Sequence, residues 1–294
     1  MVTARPTAAS TLVEFALELE TGDVPERVKH VTRLRFLDAL GLVLAAWDYP
    51  PAAAVRRVAG GPPEVQLPVS GALPAGSAAL VLGTLVHAQD FDDTLLVSLL
   101  HVSSVVIPTV LAAGGVTGAA GEEALVAAAG AAETAARLGE AAGRRFHERG
   151  FHATGVLGPL FAATAAARLF GLRAPEATAA VGLAGSLGSG LLEFLTDGSP
   201  AKRLHPGRAA EGGILAAQLA REGFGGPSTV LEGARGVYAS YLGAPPDADV
   251  LTRELGTAWL SEETSFKRYP CAHVLQPFID AALVARASGR VEAV

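Results

Sequence analysis

The chain is poor in the features that mark small stapled proteins and nucleic-acid binders. It has one cysteine, Cys271, which excludes a disulfide framework and a cysteine-based zinc site. Charged residues make up 18% of its 294 residues and the formal net charge is −6. With no basic face, nucleic acid is not an expected partner. Residues 1–11 carry no charged-then-apolar leader, so the chain reads as cytoplasmic. A mean hydropathy of +0.36 raises the question of a membrane. No formal charge falls between Asp93 and Glu122, yet that window holds His101, Pro108, several serines and a Gly-Gly pair, and lacks an aromatic belt. Buried core helices fit it better than a membrane span. Lysine is also scarce: of the 23 Lys and Arg residues only Lys29, Lys202 and Lys267 are lysine. Where arginine serves the surface, a retained lysine points to a use for a compact or tunable ammonium.

Half of the residues are hydrophobic. That rules out intrinsic disorder and allows one large core or two ordinary ones. Apolar residues recur at helical spacing over 11–20, 25–46, 75–87, 105–113, 122–142, 155–170, 174–192, 207–222 and 275–287, with Gly or Pro at the boundaries. In the second of these the predicted buried stripe is Val28, Val31, Leu34, Leu37 and Leu42. Residues 50–63 read as a Pro/Gly-rich link, followed by a short strand from Val65 to Val69. Strand and helix do not alternate, so the expected body is all-α. The glycine run 182–190, GLAGSLGSG, follows no strand and lacks a Gly-Lys-Ser/Thr ending. It is better suited to close helix approach than to cradling phosphate.

The most polar stretch is 87–101, HAQDFDDTLLVSLLH. Asp90, Asp92 and Asp93 crowd within one helical turn. Their repulsion must raise at least one pKa or be met by a cation. Two cationic clusters lie elsewhere. AKRLHPGR delivers Lys202, Arg203, His205 and Arg208 to a helix start, a suitable receptor for a carboxylate. Lys267 lies in a second short segment with Arg268 and His273, while Lys29 reads as a solvated surface residue. Together these suit a small di- or tricarboxylate held by Lys and Arg while Asp or His moves a proton. The His/Asp spacing gives neither HExxH nor a facial triad, and neighbouring lysines oppose a cation, so no metal is expected. His152 and Thr154 precede a helix start, as caps or as site-lining groups. Cys271 reads as a small core side chain.

Six blocks, HAQDFDDT with His101, GFHATGVLGP, GLAGSLGSG running into GLLEF, AKRLHPGRAAEGG, REGFGGPSTVLEG and ETSFKRYPCAH, stand in an order that resembles the MmgE/PrpD family. The resemblance implies a large helical domain, over 1–270, assembled as in the family into a homodimer, and the start of an α/β lid region over 271–294, with GRVEAV as the entry to its first strand. It implies a lyase or isomerase that needs no metal or cofactor and works next to a carboxylate, as a dehydratase, decarboxylase or epimerase. Carried over by motif, His101 is the proton carrier, with Asp90, Lys202 and Lys267 as catalytic partners. Thr94 and His152, with Arg203, His205 and Arg208, are expected to bind substrate. Two departures stand out: Leu95 occupies the position after DDT where the family commonly has histidine, and the lid with its tyrosine has no counterpart. A lid supplied by a separate chain, a repurposed lid-less site and a non-catalytic subunit are the alternatives.

Overall fold

A computed structural model describes residues 6–69 and 71–289. The chain begins with α1 (Ala8–Glu18), opened by a reciprocal cap between Thr7 and Ser10, then α2 (Glu26–Ala45) and α3 (Pro50–Val58). A two-residue hairpin, β1 (Val65–Gln66) with β2 (Ala72–Leu73), precedes α4 (Ala75–Val86). Next come β3 (Thr94–Leu95), α5 (Ser103–Thr117), α6 (Gly121–Ala142), α7 (Arg145–Glu148), α8 (Ala153–Leu169) and α9 (Ala174–Ala184). The rest is α10 (Phe194–Asp197), a 3₁₀ turn at Pro200–Arg203, α11 (Leu204–Arg221), α12 (Val237–Leu242), α13 (Ala248–Thr252), β4 (Thr264–Ser265) and α14 (Gln276–Ala287). The architecture is all-α, with strands only two residues long. No helix among the described residues is long and apolar enough to cross a membrane.

At the centre, α11 packs on α8 and α4, and α5 and α6 complete the layer around them. Helices α4, α5 and α8 are buried on nearly every side, as expected of helices apolar all round. The core is built largely of alanine and glycine, and backbones approach closely. A Cβ on Gly83 of α4 would lie 2.7 Å from the Cα of Gly207 in α11. That contact fixes the spacing between the helix that ends at His87 and the helix that follows Lys202.

The structure corrects several sequence expectations. Residues 50–58 form α3 rather than a link, because Pro50 and Pro51 occupy its first turn, where proline is tolerated. The hairpin at 65–66 and 72–73 is shorter than the expected strand. The stripe proposed for α2 is displaced: Leu37 is 70% exposed, and the buried face runs through Val28, Thr32, Arg35, Ala39 and Leu42. A buried arginine obscured that face. Helix α9 ends at Ala184, and the glycine run beyond it is not helical. It does bring backbones together, since a Cβ on Gly182 would meet Gly226 and Pro227. Cys271 is half-buried in a turn, with the Gln276 amide 3.2 Å from its sulfur, and is not in the core. Lys29 is largely covered and lies 3.7 Å from Glu26. The predicted strand entry in GRVEAV falls mostly on 290–294, outside the described residues.

Candidate active site

Helix α4 ends at His87, and the loop to α5 carries the acidic cluster, each carboxylate with a different partner. Asp90 sits at φ +53°, in the left-handed region that Asp tolerates better than most residues. Its Oδ1 lies 2.9 Å from Nζ of both Lys202 and Lys267. Lys267 also donates to the Asp90 carbonyl, and its side chain is fully buried. Burial alone would raise the Asp90 carboxyl. The two ammoniums and the nearby imidazoles override this and hold it far below the usual carboxylate range. Pairing of β3 with β4 brings Lys267 there, aligning Thr94 with Ser265 two residues before the lysine. The turn at Pro200–Arg203 delivers Lys202 from the opposite side.

Asp92 is fully buried and accepts from Nδ1 of His87 at 2.8 Å. Asp93 accepts from the backbone N–H and hydroxyl of Ser103, at 2.9 and 2.6 Å, so it caps α5 from ten residues away. It also faces the buried Arg35 guanidinium at 3.4 Å. Burial pushes the Asp93 carboxyl up, with Arg35 and Ser103 opposing the shift. The expected crowding is thus resolved in both ways at once: one raised carboxyl and one held by cations.

His101 places Nδ1 2.9 Å from the Asp93 carbonyl and 3.4 Å from the Thr94 hydroxyl. A carbonyl oxygen only accepts, so Nδ1 carries the proton and Nε2 is left as a bare acceptor. Burial holds the ring well below the usual histidine range, and hence neutral. The Thr154 hydroxyl accepts from the His101 backbone N–H at 3.0 Å, tying α8 to the loop. His152 is the residue before α8; it makes no side-chain cap and sits buried beside the other imidazoles.

A cavity of about 560 Å³ opens over this cluster. Of the expected residues, Asp90, Thr94, His101, His152, Lys202 and Arg203 line it. Leu99, Leu192, Leu195 and Val274 supply an apolar wall. Lys267 lies beneath its floor on Asp90. Arg203 donates to the Ala88 carbonyl at 3.2 Å. His205 and Arg208 lie instead along an adjacent hollow of about 510 Å³. Arg208 is paired with Glu211 one helical turn away and does not join the receptor foreseen for it. His205 is held behind the site, its Nδ1 3.0 Å from Nδ1 of His152.

Sequence reading passed over His87 as a site residue and His147 altogether. His147 lines the cavity, with its ring centroid 6.0 Å from that of His152. Five of the seven histidines, His87, His101, His147, His152 and His205, form one connected group. The spacing of His87 five residues before Asp92 was a usable signal; nothing local marks His147. One nitrogen each of His87, His101 and His152 lies within 4.8 Å of the others, close enough for a shared cation. The neighbouring carboxylate Asp90 is already engaged by two ammoniums, and their positive charge opposes a metal there.

Comparison with known proteins bears on this site. The family model described as the MmgE/PrpD N-terminal domain matches residues 10–248. A cis-aconitate decarboxylase-like protein of Aspergillus oryzae is 28% identical over 88% of the chain and 58% of its own length. Cis-aconitate decarboxylase of Aspergillus terreus is 25% identical over 95% of the chain and 60% of its own length. The Homo sapiens protein of that name is 29% identical over 91% of the chain and 57% of its own length. The chain thus spans about six-tenths of the length of these relatives.

Proposed function

This chain belongs to the MmgE/PrpD family, and from that premise we propose that it forms the catalytic body of a lyase or isomerase. In this reading it acts on a small carboxylate by moving a proton at the carbon next to the carboxylate, without a metal. Decarboxylation is the favoured outcome, since the relatives reported above carry cis-aconitate decarboxylase names. Dehydration and epimerisation pass through the same stabilised carbanion.

The observation that carries the reading is a bare imidazole nitrogen in a cavity whose Asp90 carboxylate is gripped by two lysines, Lys202 at the wall and Lys267 beneath the floor. Nε2 of His101 is free to take or return a proton, while its Nδ1–H is committed to the Asp93 carbonyl. Lys267 spends two of its three N–H donors on Asp90. Lys202 makes one bond to Asp90 and lies at the cavity wall, so its remaining donors can take a substrate carboxylate. Charge developing on that carboxylate as the neighbouring carbon gains electron density is then met by a preorganised ammonium. Thr94 steadies the imidazole, Arg203 and His152 border the substrate, and Leu99 and Leu192 exclude water from one side.

Proton NMR in D₂O with citrate, 2-methylcitrate and cis-aconitate tests this. Deuterium appearing at a carbon next to a carboxylate is the expected result; no exchange with any of them from folded protein would overturn it.

A second reading is favoured by exposed apolar surface on the C-terminal segment: Val274, which lines the cavity, is 67% exposed, and Phe278 of α14 is 72% exposed. A covering chain, either a second copy in a homodimer or a separate lid-bearing chain, would bury these residues. Light scattering of the purified protein distinguishes a dimer from a monomer awaiting a partner.

A further inference from the structure

Among the described residues, the contact the proposed reaction leaves unused is the one between His152 and His205. Their Nδ1 atoms are 3.0 Å apart, with ring centroids at 5.2 Å. Two nitrogens at that distance need one proton between them: one ring donates and the other accepts. In neutral rings, whichever gives up Nδ1–H keeps a hydrogen on the far nitrogen instead. His152 is buried, and its Nε2 has no protein partner. His205 is half-buried and lines the adjacent hollow with the carboxylates of Glu193 and Asp197 and the guanidinium of Arg208. The backbone makes room for the pair. Gly190 sits at φ +137°, and a Cβ there would come within 3.1 Å of the His205 Nδ1. The Gly190 carbonyl also accepts from the His152 backbone N–H at 3.0 Å.

We propose that His152 and His205 form a proton relay joining the catalytic cavity to solvent in the adjacent hollow. The relay rests on the reading of the cavity as a proton-transfer site. In delivery, Nε2–H of His152 passes its proton into the cavity, to His101 or to the reacting carbon. Nδ1–H of His205 moves to Nδ1 of His152, and Nε2 of His205 takes a proton from water in the hollow. One proton enters and one leaves the pair, and both rings stay neutral with their tautomers exchanged. When product departs and water fills the cavity, the same shifts run outward and restore the starting state. Glu193 and Asp197 lie beside the solvent end of this path. The assignment also explains why AKRLH places an imidazole three residues after the clamp lysine yet outside the cavity.

The test uses the full chain and His205→Ala, assayed by deuterium exchange and turnover with cis-aconitate. The rate is expected to fall about 100-fold, the scale of a positioned proton carrier, with KM unchanged. Imidazole added to the buffer, entering the vacated space, should restore the rate in proportion to its concentration; thiazole, similar in shape but without an N–H, should not. A full rate in His205→Ala, or equal rescue by thiazole, would overturn the relay. A second measurement is independent of turnover. Nitrogen-15 NMR of the wild-type protein should show a coupling across a hydrogen bond between the two Nδ1 atoms. Absence of the coupling in folded protein refutes the relay. Its presence without any exchange of the acids leaves the shared proton standing and sinks the reading of the reaction.

Discussion

The helical body and the C-terminal segment from Thr264 onward hold the same site by opposite means. In the body, α4 and α8 bury nearly all their side chains, and α5 and α11 bury the greater part of theirs. Polar groups there are matched individually: Asp93 to Arg35 and Ser103, Asp92 to His87. In the C-terminal segment, α14 buries only Gln276 and leaves Phe278 and Val284 72% and 70% exposed. Its firm attachments are the β3–β4 pairing and the buried Lys267 ammonium on Asp90. The body therefore owes its stability to packing, whereas the segment beyond it is held largely by the ion pair of Lys267 with Asp90. In the proposed function, chemistry and tethering coincide at Lys267.

That contrast can be broken most sharply at the shared residues. His101→Ala and Lys202→Ala should each lower exchange and turnover by about 10³-fold or more. Their circular dichroism and melting curves should stay near wild type; an unfolded variant would show that the site also carries the body. Lys267→Ala should lose activity to the same degree and in addition free the 264–289 segment to rapid hydrogen exchange, with α4 and α8 still protected.

Next in size is Arg35→Met, which strands Asp93 as a buried, half-compensated charge. Breaking such a pair costs about 3–5 kcal/mol, read from urea unfolding. Adding Asp93→Asn, which keeps an acceptor for Ser103 without the charge, should recover part of that loss. No recovery would mean that the guanidinium acts through its bond to the Ser261 carbonyl instead.

A smaller effect depends on pH. Asp38 stands near Asp92 and Asp93, and burial followed by these two negative neighbours raises its carboxyl to about 6. A carboxyl raised in the folded state contributes stability that is fully present below its unfolded value of 3.8 and is lost as pH rises through about 6. Asp38→Asn should therefore stabilise the protein at pH 8, by roughly 1 kcal/mol after allowance for solvent screening, and leave it unchanged at pH 4. Thermal melts at the two values read the sign. The smallest effect is expected in the other region. Phe278→Ser should change stability by less than about 0.5 kcal/mol, as exposed positions do, while reducing self-association at high concentration.

The helical body was legible because α4, α5, α6 and α8 follow long apolar patterns with glycine and proline stops. The displaced face of α2 was not: its core positions include Arg35 and Thr32, which a hydrophobic count assigns to solvent, and the ion partner that admits Arg35 lies 58 residues away at Asp93. Within the site, the lysine scarcity pointed to Lys202 and Lys267; the acid cluster narrowed the carboxylate to Asp90, Asp92 or Asp93, and the family resemblance chose Asp90. What the chain order hides is that both lysines meet on the same carboxylate oxygen, because only the β3–β4 register brings Lys267 there. Arg208 was misplaced for a simpler reason. Lys202 sits in the 3₁₀ turn before α11, whereas Arg208 lies more than a turn into the helix and faces the adjacent hollow, where Glu211 one turn on pairs with it.

The contact of Gly83 with Gly207 has a further consequence for how such a protein can be altered. With no side chain between Gly83 and Gly207, the separation of α4 and α11 at this point cannot be adjusted by exchanging one residue for a slightly larger or smaller one. Any added carbon meets backbone. Under the proposed function, laboratory evolution toward a different acid is best directed at the apolar wall, at Leu99, Leu192, Leu195 and Val274, where new shapes can be tried without moving Asp90 or Lys202. The glycine seam behind them is inherited unchanged or lost with the whole domain.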